Sequence, residues 1–134
     1  MHNLKQTDEK ISHPPKLVEQ FMVDYNIDCN TDIDYFLIHQ ANKKIVDCVV
    51  KKLKLPLEKV PYNLEEFDDF GRASISSLIV TRITDKLRKE ETTILGSSFG
   101  LGLSWGTMLL KTKPMLIPKI IIMIKIDKYK NTIK

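Results

Sequence analysis

Hydrophobic and polar positions recur at two different periods along the chain, and these periods predict alternating helices and strands. Apolar residues at helical spacing predict helices over residues 14–25, 41–53 and 74–89, the first opened by two prolines. Short β-branched and aromatic runs predict strands, which we place at residues 33–38, 62–64, 92–98 and 101–111. Such alternation indicates an α/β layer structure.

The two ends of the chain depart from this pattern. Residues 1–13 are polar and unpatterned, so we expect them to be frayed or paired with a segment that is missing. Near the other end, the β-branched run at residues 120–124 contains no proline and could pair as a strand or aggregate. We therefore divide the chain into a body, residues 1–113, and an atypical basic and apolar tail, residues 114–134.

Composition and charge narrow the function classes. The 134 residues are 43% hydrophobic and 28% charged, as in one ordinary globular domain. Although the net charge is +4, seven lysines and one aspartate follow residue 110, so the remaining body is slightly acidic. This distribution argues against a nucleic-acid-binding module. No apolar run suits a signal peptide or a membrane span, and two cysteines favour a reducing, cytoplasmic location.

His39 is the first candidate for chemistry. It stands where a predicted buried strand ends and a helix follows, and sites in α/β sheets gather at that end of the strands. The alternative is a structural histidine that hydrogen-bonds the start of the helix.

A glycine-rich turn is the second candidate. Gly100 and Gly102 separate two predicted strands and allow a tight turn whose amides could face an oxygen atom. The spacing does not match a dinucleotide-binding fingerprint, and a plain hairpin turn is the alternative.

Nucleophiles are poorly supported by the sequence. A serine at position 97 or 98 could pair with His39 as base and Asp69 as orienting acid, but no nucleophile-elbow pattern surrounds either serine. Cys48 falls near the apolar side of its predicted helix, and Cys29 lies in an acidic loop. Neither cysteine has the setting of a nucleophile.

Two motifs together resemble those of a known family. Residues 34–42 read DYFLIHQAN, and residues 99–106 read FGLGLSWG. They are similar to the His-Gln-Ala-Asn motif and the closing glycine-rich turn of β-ketoacyl-acyl-carrier-protein synthase III, a thiolase-fold condensing enzyme. The resemblance runs from about residue 15 to residue 111, without a gap between His39 and Trp105. It implies the C-terminal thiolase-like half, a mixed five-stranded sheet with helices packed on its faces.

The resemblance also implies an acyltransferase site. His39 matches the family histidine, which binds a malonyl thioester oxygen together with an asparagine while carbon dioxide leaves. The oxyanion and gating region corresponds to Phe99, Gly100, Leu101 and Gly102, with Leu101 replacing the middle glycine of the family. The substrates would be thioesters of coenzyme A and acyl carrier protein, with no cofactor or metal.

Two departures from the family bear on activity. The family is about twice as long, and its nucleophilic cysteine lies in an N-terminal half that these residues do not match. The gapless register also places Asp69 at the asparagine position, and an ionised carboxylate has no proton to donate. A local slip would place Arg72 there instead. Some relatives that transfer acyl groups to oxygen or nitrogen carry an acid at this point, where it could orient His39 as a base.

The sequence therefore predicts the C-terminal domain of a synthase-III-like acyltransferase of fatty-acid or related biosynthesis, inactive alone. The alternative is a non-catalytic module that pairs with a thiolase-fold partner. We expect a homodimer or pairing with an N-terminal thiolase half, because the apolar faces of the helices over residues 41–53 and 74–89 exceed what one domain can cover.

A cluster of lysines predicts a site for the carrier protein. Six lysines and two acids lie between residues 43 and 59. Of these, Lys43, Lys44 and Lys51 are the candidates for binding acidic acyl carrier protein, because the family has basic residues after the histidine. A solvated helix face is the alternative.

Overall fold

The computed structural model describes residues 2–67, 71–100, 104–119 and 121 of the chain. Eight elements and two short 3-10 turns, at Leu57–Lys59 and Gly71–Ala73, follow one another along it. The elements are α1 (His2–Asp24), β1 (Tyr35–Ile38), α2 (Lys43–Leu53), α3 (Leu64–Phe67), α4 (Ser74–Arg82), α5 (Thr84–Lys89), β2 (Thr92–Gly100) and β3 (Ser104–Thr112).

The strands form one mixed sheet in the order β1-β2-β3. β1 and β2 are parallel, with Leu37 opposite Gly96, whereas β2 and β3 are antiparallel, with Leu95 opposite Leu109. The α/β class and the mixed sheet are confirmed, but the described residues contain three strands instead of the expected five. Residues 62–64 are not a strand, because a hydrogen bond from the Glu66 amide to the Asn63 carbonyl closes a helical turn there.

Helices cover the two faces of the sheet because side chains alternate along each strand. The first face packs against α1 and α2, and its buried cluster comprises Val18, Ile33, Phe36, Ile38, Val46, Val49, Leu55, Val60 and Leu95. The second face packs against α4 and α5, and its buried cluster comprises Leu37, Leu78, Ile83, Leu87, Ile94 and Ile117. The sheet is therefore the middle layer of three.

The first helix begins earlier than predicted. α1 starts at His2, so residues 2–13 are helical rather than frayed, and Pro14 and Pro15 lie inside the helix. Leu, Lys, Gln and Glu in this stretch have high helix propensity, but without an apolar stripe they give no periodic signal.

The helix predicted over residues 74–89 is two helices. α4 ends before Ile83, whose φ of −120° is not helical, and α5 begins at Thr84. The Thr84 hydroxyl donates to the carbonyl oxygens of Ile79 and Val80, each at 3.0 Å. Its side chain thus takes a place that a backbone amide would hold in a continuous helix.

The expected exposure of apolar helix faces is wrong. Val46 and Val49 of α2 and Leu78 of α4 are buried within the single chain, because α1 and the sheet cover them. The exposed apolar side chains of the sheet lie on β3 instead, at residues 108–110.

The first residues of the tail pack on the body. Ile117 is buried in the second cluster, the Met115 amide donates to the Leu87 carbonyl at 2.9 Å, and the Arg88 guanidinium donates to the Ile117 carbonyl. Of the run at residues 120–124, only Ile121 lies within the described residues, and it is exposed. The division after residue 113 stays a prediction. Within the described residues no helix has the length and apolar character needed to cross a bilayer.

Candidate active site around His39

His39 stands directly after β1, as predicted. Its backbone amide donates to the Ser97 carbonyl at 2.9 Å, which extends the pairing of β1 with β2 by one residue. The side chain is half-buried, and its ring meets the Phe99 ring edge-on, with centroids 4.9 Å apart and an interplanar angle of 80°. The sheet therefore brings together His39 and Phe99, two of the predicted site residues.

A hydroxyl from the second helical layer holds the other side of the imidazole. His39 Nδ1 lies 2.5 Å from Ser74 Oγ, at the first residue of α4. Ser74 is 1% exposed, so it cannot act as an open nucleophile. Ser97 and Ser98 make no side-chain hydrogen bond to His39 within the described residues, which leaves the serine triad without support.

Buried polar side chains continue from Ser74 into the molecule. The Gln40 side chain is fully buried, its amide donates to the Ile38 carbonyl at 2.8 Å, and its backbone amide donates to Ser74 Oγ at 3.3 Å. Asn63 is also buried, and its side-chain oxygen Oδ1 has no hydrogen-bond partner among the described residues. Its Nδ2 donates to Ser77 Oγ at 3.0 Å and to Thr81 Oγ1 at 3.2 Å. This polar network anchors the start of α4 behind the histidine.

The start of α2 is capped by another residue of the motif. Asn42 has extended backbone angles, and its Oδ1 accepts from the Ile45 amide at 3.0 Å, as an N-cap does. Asn42 therefore supplies the side-chain cap of α2, and the alternative role of His39 at the start of this helix stays a prediction.

Of the remaining predicted site residues, one is described by the structure and the others are not. Gly100 is exposed at the end of β2, paired with Ser104 of β3. Asp69, Leu101, Gly102 and the side chain of Arg72 lie outside the described residues. The oxyanion turn and the family asparagine position thus stay predictions.

The candidate lysines differ in their surroundings. Lys43 pairs with Asp47 at 3.2 Å and lies over the Tyr62 ring, with Nζ 5.3 Å from its centroid. Lys44 and Lys51 are exposed, and their spacing of seven residues places them on one face of α2, about 10 Å apart along its axis.

Lys59 has a structural role. Its Nζ donates to the carbonyl oxygens of Asn30 and Ile33, at 2.6 and 2.7 Å, and so ties the loop before β1 to the segment after α2. Because its ammonium group is engaged in these hydrogen bonds, we do not count Lys59 among the candidate lysines for carrier-protein binding.

Sequence reasoning missed Ser74, Gln40 and Asn63 as members of the site. The signals available were weak: a serine opening a helix, and a glutamine inside the His-Gln-Ala-Asn motif. Among the described residues, no three His, Cys, Asp or Glu side chains are grouped so that they could hold a metal ion.

Comparison with known proteins identifies the matched region. The family model for the C-terminal part of 3-oxoacyl-[acyl-carrier-protein] synthase III matches residues 29–112. The β-ketoacyl-[acyl-carrier-protein] synthase III of Limosilactobacillus reuteri is 43% identical over 79 residues, 59% of this chain and 24% of that protein. Its counterpart in Microcystis aeruginosa is 35% identical over 101 residues, 75% of this chain and 30% of that protein.

Solved structures agree with this match. A 3-oxoacyl-(acyl-carrier-protein) synthase from Burkholderia xenovorans superposes with a TM-score of 0.71 at 33% identity, over 81% of this chain and 31% of that one. The synthase III of Pseudomonas aeruginosa has the same TM-score at 24% identity and supports the fold alone. The chain thus spans about a third or less of the length of these relatives.

Proposed function

The chain belongs to the 3-oxoacyl-[acyl-carrier-protein] synthase III family, and we propose that it forms the histidine-bearing C-terminal part of an acyltransferase. Its substrates would be thioesters of coenzyme A and acyl carrier protein, used in fatty-acid or related acyl-chain biosynthesis without a further cofactor. The observation that carries this proposal is His39, placed inside the matched residues at the end of β1 between Ser74 and Phe99. A cytoplasmic location belongs to the proposal and is consistent with two cysteines that form no disulfide.

The proposed chemistry requires hydrogen-bond donors near a thioester oxygen. When a malonyl thioester loses carbon dioxide, negative charge develops on that oxygen, and an imidazole N–H directed at it stabilises the transition state. His39 supplies one such donor. The family's second donor is an asparagine, and Asp69 in the gapless register cannot replace it while ionised.

We therefore propose that the chain does not condense acyl groups by itself. The nucleophilic cysteine would come from an N-terminal thiolase half. This half is one of the two proposed partners, and the other is a second copy of this chain. Asp69 favours one alternative activity, acyl transfer to an oxygen or nitrogen nucleophile, in which a carboxylate orients His39 as general base.

The test is a reconstitution. The purified chain is incubated with acetyl-coenzyme A and malonyl-carrier protein, alone and with the separately produced N-terminal part of the Limosilactobacillus reuteri relative. We expect no acetoacetyl-carrier protein from the chain alone and measurable product from the mixture. His39→Ala should abolish that product, whereas His13→Ala, at an exposed position on α1, should retain it.

Other outcomes separate the alternatives. Condensation by the chain alone would contradict the need for a partner cysteine. Acyl transfer to an added alcohol or amine, without condensation, would identify the alternative activity. A stable complex that turns over neither substrate would leave the non-catalytic module as the better interpretation.

We further propose that the face of α2 bearing Lys44 and Lys51, with Lys43 beside it, binds acyl carrier protein. Because Lys43 already pairs with Asp47, Lys44 and Lys51 would contribute most of the attraction. Their charge would mainly speed the encounter with an acidic partner and would be screened by salt.

A charge-reversal pair tests this surface. Lys44→Glu with Lys51→Glu should weaken carrier-protein binding at low salt by about tenfold or more, and the difference should shrink at high salt. Lys111→Glu with Lys113→Glu makes the same charge change at exposed positions of β3 and just after it. Equal effects of the two pairs would favour the solvated-face interpretation.

A further inference from the structure

We propose that the C-terminal arm, which we define as residues 113–119 and 121, binds the surface of an anionic lipid bilayer. The arm follows β3 and lies outside the residues that match the family model, which end at residue 112. The acyltransferase function proposed above does not use it. A binding site here would therefore be an addition to that function.

Exposed apolar side chains are concentrated in and near this arm. Among the described residues ten large hydrophobic side chains are exposed, and six of them fall within residues 108–121. Three of the six belong to the arm: Met115, Leu116 and Ile121, which are 42%, 92% and 85% exposed. A single exposed leucine is ordinary on a protein surface, but a group of neighbouring apolar side chains indicates an interaction site.

The arm is basic as well as apolar. Lys113 and Lys119 are exposed within it, and Lys111 is exposed at the end of β3. The sequence has no acidic residue between Glu91 and Asp127. Lysines beside exposed apolar side chains fit a surface that carries negative charge over an apolar interior, which is the chemistry of an anionic bilayer.

The helices next to the arm keep this basic character. Lys119 lines a cleft together with Arg82 and Arg88, and the acids of the same cleft are Glu66 and Asp85. Glu66 forms a salt bridge with Arg82 at 2.8 Å. With three basic and two acidic side chains, the cleft has a net positive charge.

The body holds the arm in a fixed position. The Met115 amide donates to the Leu87 carbonyl at 2.9 Å, and the Arg88 guanidinium donates to the Ile117 carbonyl. The Ile117 side chain is only 4% exposed, in the cluster on the second face of the sheet. The arm is thus ordered before it meets any surface, which lowers the entropic cost of binding.

This anchoring turns Leu116 toward solvent. Because Pro118 follows Ile117, the backbone of Ile117 is restricted to the extended region, where neighbouring side chains point in opposite directions. Burial of Ile117 therefore directs Leu116 outward, in agreement with its exposure of 92%. The most exposed apolar side chain of the arm is held out by the fold.

The prolines of the arm favour a lipid surface over an added strand. Residues 113–119 form neither helix nor strand, and Pro114 and Pro118 have no backbone N–H to donate. A neighbouring strand could not form a continuous ladder of hydrogen bonds with such a segment. Insertion of side chains at the depth of the lipid headgroups requires no ladder, because the backbone stays in the hydrated interface.

The experiment is flotation of the whole chain with lipid vesicles through a density gradient, which separates lipid-bound protein from protein aggregates. Vesicles of phosphatidylcholine are compared with vesicles of phosphatidylcholine and phosphatidylglycerol in equal parts. We expect binding to the anionic vesicles and about tenfold weaker binding, or none, to the neutral ones. High salt should weaken the binding to anionic vesicles, because it screens the lysine charges.

A substitution in the arm tests the apolar contact. Leu116→Gln should weaken binding to anionic vesicles about tenfold, because the side chain no longer enters the interface favourably. Leu57→Gln makes the same change in the 3-10 turn after α2, at a position that is 75% exposed, and should leave binding unchanged. Circular dichroism spectra show whether each variant is folded.

A second pair of variants tests the charges. Lys113→Gln with Lys119→Gln should weaken binding to anionic vesicles about tenfold or more. Lys16→Gln with Lys52→Gln removes the same charge at exposed positions of α1 and α2 and should have little effect.

Three results would overturn the proposal. One is a wild-type chain that floats with neither kind of vesicle, or equally with both. Another is binding to anionic vesicles that the variants of the arm retain in full. The third is a lipid-free chain whose mass in sedimentation velocity falls in Leu116→Gln while no vesicles are bound, since the arm would then contact a second copy of the chain. None of these measurements depends on turnover, so a failed reconstitution would leave the lipid-binding proposal standing.

Discussion

Asp34 shows how a single residue joins the start of β1 to its neighbours. Its Oδ1 accepts from Lys86 Nζ at 2.9 Å, and its Oδ2 accepts from the Thr93 backbone amide at 2.8 Å. Burial raises the pKa of this carboxyl, but the hydrogen bonds from Lys86 and Thr93 and the charge of Lys86 outweigh it, so the pKa lies below the ordinary value of 3.8. The hydrogen bond to Asp34, although opposed by burial, raises the pKa of Lys86 above 10.5.

These shifts predict how stability depends on pH. Asp34 stabilises the fold fully above its ordinary pKa of 3.8, and this contribution is lost as pH falls through its lower folded value. The Lys86 contribution is present below pH 10.5 and is lost as pH rises through its higher folded value. Since both side chains are about one third exposed, solvent screening limits the pair to roughly 0.5–1 kcal/mol.

Asp34→Asn should therefore lower the free energy of unfolding by roughly 0.5–1 kcal/mol at pH 7, measured by urea denaturation. The loss should shrink as pH falls below about 4 and through the lowered pKa of the folded state, because the wild-type carboxyl then becomes protonated as well. Glu91→Gln, at an exposed acid near the start of β2, is the matched control and should change stability little. A pH-independent loss in Asp34→Asn would contradict the electrostatic explanation.

At the same scale, the candidate site was predictable only in part. His39 could be found because a buried strand, a helix start and a four-residue motif converge on it. Ser74 could not be found, because its contact with His39 joins residues 35 positions apart. No local sequence pattern indicates which helix start will lie against the end of a given strand. Gln40 and Asn63 were also missed, because polar residues are ordinarily expected at the surface and only the fold shows that these two are buried.

Secondary-structure elements were predictable where one apolar stripe or run defines them. The strand before His39, the helix α2 and the two strands around the glycine-rich turn all lie close to their predicted positions. The break at Ile83 was not predictable from periodicity, because the apolar stripe continues through it while the Thr84 side chain takes over the hydrogen bonds. The first half of α1 was not predicted, because its residues have high helix propensity but form no apolar stripe.

The C-terminal end of α2 carries a local strain that predicts a stabilising substitution. Lys54 adopts the left-handed conformation, with φ 51° and ψ 41°, while its amide and that of Leu55 both donate to the Val50 carbonyl. A residue with a Cβ atom is disfavoured in this conformation, and glycine is not. Lys54→Gly should therefore raise the free energy of unfolding by about 0.5–1 kcal/mol, measured by urea denaturation.

Lys54→Ala is the matched control, since it removes the same charge but keeps Cβ. It should give no gain in stability. Asn26, another non-glycine residue with a positive φ after a helix, should gain less stability from substitution by glycine, because asparagine tolerates this conformation better than lysine does. A gain from Lys54→Ala equal to that from Lys54→Gly would assign the effect to charge instead of backbone strain.

At the scale of the whole molecule, the three layers are complete around β1 and β2 but not around β3. The resemblance to the family predicted the mixed sheet with helices on its faces. The position of the exposed apolar surface could not be predicted, because it depends on how α1 packs over α2. Once α1 covers that helix, the surface left open is an edge strand. Its side chains at Met108, Leu109 and Leu110 are 47%, 37% and 41% exposed.

This edge predicts that the chain associates. Among the described residues β3 pairs with β2 alone, so along residues 105–112 its outer edge has no strand partner within that part of the chain and lies beside apolar side chains. This combination favours pairing with another strand. We expect dimers or larger species at micromolar concentration, measured by sedimentation velocity, and Leu110→Lys should shift the population toward monomer. Val23→Lys, at an exposed apolar position on α1, is the control and should not. A wild-type chain that stays monomeric at these concentrations, or equal effects of both lysine substitutions, would contradict association through β3.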